Sequence, residues 1–91
     1  MKELVDKIQS IPGVSVHIPD DGIISIGNGS GFNPRIDVKN INSVDKLKSS
    51  EGEAVVELNF FDGRYLRITS KDFIFSLQQS GMVKVSNFTD A

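Results

Sequence analysis

The sequence predicts an α+β fold: an antiparallel sheet of about five to six strands, with an N-terminal and a C-terminal helix packed on one side. Three observations predict it. Short runs alternate apolar and polar residues between glycine-containing turns. Two longer runs, 2–11 and 71–80, place apolar residues at helical spacing. The length, 91 residues, suits one domain spanning 1–91.

In the first run, Leu4, Ile8 and Ile11 fall at i, i+4 and i+7, one stripe of a helix that Pro12-Gly13 stops. Residues 14–18 and 23–27 read as a hairpin. Its apolar faces coincide when Val16 lies opposite Ile26 and Ile18 opposite Ile24, leaving Asp20-Asp21-Gly22 as the loop. This register puts His17 on the outer face near Ser25. Next, Ile36 and Val38 alternate with Arg35, Asp37 and Lys39, which predicts a half-buried strand with a charged outer side. Residues 41–50 fit two readings. Ile41, Val44 and Leu47 have helical spacing, yet a short strand also fits.

The second hairpin can be registered in the same way. Pairing Val56 with Ile68 and Leu58 with Leu66 keeps the core faces together. Glu57 then faces Arg67 on the outer side, and Phe61-Asp62-Gly63 forms the loop with Gly at the position that needs a positive φ. Phe61 is pushed to the tip. After it, Ser70 reads as a helix N-cap, Lys71 to Ser80 as a helix, and Gly81 as its stop. Phe73, Ile74 and Leu77 form the buried stripe of that helix, and Phe75 falls off it into solvent. A strand through Val83 and Val85 closes the chain, and residues 88–91 are expected to fray.

Composition narrows the function classes. The chain is 38% hydrophobic and 24% charged, ordinary for a folded protein. It has no Cys, which favours a reducing compartment and a cytoplasmic location, and removes thiolate and Cys-ligated metal chemistry. Residues 1–11 do not resemble a signal sequence, and no apolar run approaches the roughly 20 residues of a membrane span. Without a signal sequence, Asn28-Gly29-Ser30 and Asn87-Phe88-Thr89 are chance matches to the glycosylation pattern. Net charge is −2 with the signs interspersed, which argues against nucleic acid as the partner.

No motif carries chemistry alone. His17 is the only histidine, no carboxylate set has metal-ligand spacing, and no catalytic residue, metal or cofactor is expected. Two groups stand out as binding candidates. The loop Gly27-Asn28-Gly29-Ser30-Gly31-Phe32-Asn33-Pro34 could expose backbone N–H groups to an anion, with Gly27, Gly29, Ser30, Gly31 and Arg35 as contacts. It lacks the following Lys-Ser or Lys-Thr, and a strand comes next rather than a helix, so a plain connection is the simpler reading. The second group is Phe61, Tyr65, Arg67, Glu57 and Phe75. These combine residue types enriched at interface hot spots with two aromatics expected in solvent.

From Arg35 to Leu77 the alternation resembles bacterial pleckstrin-homology-like domains. That resemblance implies strands with Gly-containing turns leading to a C-terminal helix; the N-terminal helix and final strand lie outside its pattern. It assigns no functional residue.

The expected function is a small, non-catalytic module that binds another protein or regulates it. By size and composition it is analogous to inhibitors of the immunity or phage anti-defence kind. Self-association into a homodimer is one form of this. The alternatives are a binder of a small anionic ligand or nucleotide through loop 27–34 with Arg35 and Arg67, and a nucleic-acid-binding domain.

Overall fold

Two antiparallel sheets face each other across a shared core. The computed structural model describes residues 1–78 and 81–82. Helix α1 (Lys2–Gln9) is followed by a three-stranded sheet, β1 (Ser15–Asp20), β2 (Ile23–Gly27) and β3 (Arg35–Asp37). A single 3₁₀ turn (Val38–Asn40) leads to a four-stranded sheet, β4 (Ile41–Lys48), β5 (Ala54–Phe60), β6 (Tyr65–Ile68) and β7 (Phe73–Phe75). A two-residue pair, β8 (Leu77–Gln78) with β9 (Gly81–Met82), follows. Each sheet is a simple up-and-down order of sequential strands.

Alternation builds the core. Ile24, Ile26 and Ile36 point inward from the first sheet, and Val56, Leu58, Phe60, Leu66 and Ile68 from the second. Helix α1 adds Ile8, and Ile11 and Val14 follow it into the same cluster. Burying each such side chain contributes roughly 1.5–3 kcal/mol.

The second hairpin has the register that alternation predicts. Val56 pairs with Ile68, Glu57 with Arg67 and Leu58 with Leu66. The Gly63 amide donates to the Phe60 carbonyl at 3.0 Å, and Gly63 has φ +89°, so Phe61-Asp62-Gly63 is the loop.

The predicted fold class is overturned. There is not one sheet with a helix at each end; there are two sheets, and α1 is the only α-helix among the described residues. Residues 73–75, expected inside a C-terminal helix, are strand β7, and the helix implied by the pleckstrin-homology-like resemblance is likewise absent over 71–78. The reason is local. Phe73-Ile74-Phe75 are three consecutive residues that favour a pleated, half-buried surface. Ser70, the expected N-cap, caps no helix; the residue before it closes a turn instead, with Thr69 Oγ1 accepting from the Lys71 and Asp72 amides at 3.2 and 2.9 Å and the Thr69 amide donating to the Asp72 carbonyl. Ile74 therefore points away from the core, not into it, and Phe75 packs against the core instead of standing in solvent. The final strand through Val83 and Val85, and residues 88–91, lie outside the described residues.

Two bulges explain the other departures. Residues 41–48 are strand, and the register shifts between Ile41 and Ser43. The extra residue returns Ile41 and Val44 to the same face, which imitates helical spacing. Leu47 then falls on the opposite face. In the first hairpin Val16 pairs with Ile26 and His17 with Ser25, but Asp20 pairs with Ile23 across an irregularity at Ile18-Pro19. Proline has no amide to give the ladder, so it sits where the ladder is broken. Ile18 does not meet Ile24 and is 52% exposed. Asp37, expected outside, is buried, and accepts from the Lys39 amide at 3.1 Å.

Candidate interaction surface

The outer face of the four-stranded sheet gathers most of the expected interface residues. Alternation places Leu47, Val55, Glu57, Asn59, Tyr65, Arg67 and Ile74 on this one side, since their neighbours Val56, Leu58, Leu66 and Ile68 fill the core.

Its centre is a fixed polar network. Glu57 and Asp45 are directly paired across β4 and β5, two carboxylates that would repel if left alone. The Asn59 side-chain amide donates to both, at 3.1 Å to Glu57 and 3.2 Å to Asp45. Arg67 Nε donates to Glu57 Oε2 at 2.7 Å. The Arg67 guanidinium also lies 4.6 Å from the centroid of the Tyr65 ring. The hydrogen bond from Arg67 is the main cause that holds the Glu57 carboxyl below its ordinary range, outweighing the upward push of burial; Asn59 and the Arg67 charge add to it. The same bond holds Arg67 more firmly protonated. The Arg67 guanidinium is thus held by Glu57 and covers the Tyr65 ring.

Beside this network lies apolar surface. Leu47 pairs with Val55, and Ile74 with Arg67. Leu47 is 42% and Ile74 46% exposed, while Val55 between the two strands is buried. A shallow cavity of ≈350 Å³ opens here, lined by Leu47, Val55 and Ile74 and, among polar side chains, by Lys48, Glu53 and Arg67.

Phe61 marks the other end. It is 69% exposed at the tip of the β5–β6 hairpin. Its backbone is not loose, because its amide donates to the Asn40 carbonyl at 3.1 Å. Asp62 and Arg64 pair beside it, and that hydrogen bond lowers the pKa of Asp62. Val55 to Phe61 spans roughly 20 Å of strand, so the face and the tip form one elongated strip.

Phe75 does not join the strip. It is half-buried on the core side, with its ring centroid 6.3 Å from that of Phe32. Phe32 also meets Phe73 edge-on at 5.7 Å. The aromatic of the Gly-rich loop is therefore an anchor between the sheets, not a free contact. Asn28 does the same work with hydrogen bonds. It is buried, donates to the Thr69 and Asp72 carbonyls at 3.1 and 3.3 Å, and accepts from the Ser30 amide at 3.1 Å. Gly29 and Gly31 have φ +83° and +90°, conformations that other residues rarely adopt. Gly27 ends β2 with Asn33 Oδ1 close by. Arg35 reaches away from this loop and pairs with Asp20 at 3.4 Å. The loop and its proposed cation are thus engaged in separate structural contacts.

His17 is exposed on the outer face of the other sheet, beside Ser25. Among the described residues no three His, Asp, Glu or Cys side chains gather closely enough to hold a metal ion, and no helix is long and apolar enough to cross a membrane.

Comparison with protein-family models, with curated proteins and with solved structures returns no match. Sequence reasoning missed Leu47, Val55 and Ile74. Their signal was present only once β4 and β7 were known to be strands.

Proposed function

We propose that the chain is a non-catalytic module that binds another protein through the outer face of its four-stranded sheet. One observation carries this reading: Leu47 and Ile74 lie exposed, with Val55 buried between them, beside the Tyr65–Arg67–Glu57 network. An Arg already held by a partner loses less entropy on binding, and Tyr and Arg are enriched where interface energy concentrates. Phe61 supplies an aromatic anchor on a pinned turn at the end of the strip. A small domain presenting such a face is suited to mask the surface of a larger partner, in the manner of an inhibitor.

The test is affinity capture from native lysate, run in parallel with the natural chain and with the double variant Leu47→Ser, Ile74→Ser. A protein held at stoichiometric amount by the natural chain and lost from the variant is the expected result. Equal retention by both, or no retained protein, overturns the reading. Far-ultraviolet circular dichroism of the variant confirms that it remains folded.

A further inference from the structure

Among the described residues, strand β4 is an unpaired edge of its sheet, and its edge differs in chemistry from the outer face. Of the described strands, β4 pairs only with β5. The Ser49 amide donates to the Glu53 carbonyl at 2.9 Å, which makes that pair a hydrogen-bonded one. Antiparallel alternation then turns the backbone groups of Leu47 and Asp45 toward β5, and those of Val44, Lys46 and Lys48 away from it. Among the described residues, the backbone groups of these three meet no partner.

The edge is not bare on its core side. Helix α1 runs beside it, and a groove of ≈450 Å³ opens between them, with Leu4, Val38, Ile41 and Val44 as its apolar lining. A second cavity of ≈230 Å³ lies between the end of the helix and the far half of the strand, bordered by Ile11, Lys46 and Lys48. Side chains of an added strand would alternate between this apolar trough and solvent. Lys7, Lys46 and Lys48 stand on its rim, and among the described residues none has an acidic partner. Glu3 lines the far end of the larger groove.

We propose that the β4 edge takes an extended, acidic segment of a partner protein as an added strand, with its apolar side chains in the α1–β4 trough and its carboxylates on the lysines. Backbone hydrogen bonds supply the register, and the trough and the charges supply selection. Lysines on an edge strand guard against pairing with copies of the same chain, because a second β4 would bring its own lysines to the same seam. The same charges favour an acidic strand over a neutral or basic one. This surface is separate from the outer-face site and stands or falls independently of it.

The experiment uses the full chain and labelled, end-capped peptides of about ten residues, the length of a long strand. One alternates glutamate with valine, a second replaces glutamate by lysine, and a third is the acidic peptide N-methylated at alternate residues. Fluorescence anisotropy measures binding, and amide hydrogen exchange locates it. The acidic peptide is expected to bind, to weaken as salt rises, and to slow exchange at Val44, Lys46 and Lys48 by roughly tenfold or more. The lysine and methylated peptides are expected to fail. Lys46→Glu with Lys48→Glu should exchange the preference of the two charged peptides, while Phe61→Ser with Ile74→Ser leaves it intact. No binding of the acidic peptide overturns the proposal. So does binding that leaves those three amides unchanged, or equal binding of the methylated peptide. Protection of the same amides that grows with protein concentration alone assigns the edge to a second copy and overturns it too.

Discussion

The two sheets bury matching inner faces but carry different outer ones. The outer side of the three-stranded sheet bears Ser15, His17, Ser25, Gly27 and Arg35, with half-buried Ile23 at its end and exposed Ile18 at the β1 irregularity. The outer side of the four-stranded sheet bears Leu47, Val55, Tyr65, Arg67 and Ile74. Folding needs only the inner faces, and the sheets supply them from Ile, Leu, Val and Phe60. The apolar and aromatic content of the second outer face therefore exceeds what the core requires. An exposed apolar and aromatic surplus of this kind is the mark of a contact surface.

The comparison is broken most severely if the two inner faces are not one core. Ile24→Ala lies under one sheet and Leu66→Ala under the other, both fully buried. Each is expected to cost about 2–5 kcal/mol and to shift a single thermal transition. Two transitions responding separately would show two cores. Next comes the clasp that joins the sheets. Asn28→Ala leaves the Thr69 carbonyl without a buried donor and is expected to cost about 1–3 kcal/mol, read from urea unfolding. A loss under a few tenths would mean that the loop is only a connection.

Much of the second face was legible in the sequence because alternation alone fixes a strand's sides. Glu57 opposite Arg67, with Tyr65 beside them and Phe61 at the tip, follows from keeping Leu58 against Leu66. The apolar half was not legible. Leu47 needs the bulge between Ile41 and Ser43 to be known, since one extra residue moves every later side chain to the other face. Ile74 was assigned to a helical stripe because Ser70 looks like an N-cap. A hydroxyl that accepts two amides caps a turn as well as a helix, and only the packing of Phe73 and Phe75 on the core distinguishes them. The two-sheet division was hidden for a related reason: alternation reports which side of a strand is buried, not which sheet buries it.

Smaller effects sharpen the contrast between the outer faces. Leu47→Ser with Ile74→Ser should change stability by less than about 1 kcal/mol, since both side chains are already near half exposed. A larger loss would make them core. Glu57 gives a pH test. Its folded pKa is depressed below the unfolded value near 4.5, mainly by the Arg67 hydrogen bond, so the folded state holds the proton less tightly. Its contribution is present above pH 4.5 and is lost as pH falls through the lower folded value. Glu57→Gln should therefore flatten the acid limb of the stability curve, by up to about 1 kcal/mol because Arg67 is well exposed. An unchanged acid limb would show that the network adds no stability. Least of all, His17→Ala on the opposite face should leave stability within about 0.5 kcal/mol and partner retention unchanged.

The most direct measurement is hydroxyl-radical footprinting of the captured complex against the free chain, reading both outer faces at once. Protection of Phe61, Leu47, Tyr65 and Ile74, with His17 as reactive as in the free chain, is the expected result. Protection of His17 while Tyr65 and Phe61 stay reactive would place the contact on the other sheet and contradict the account.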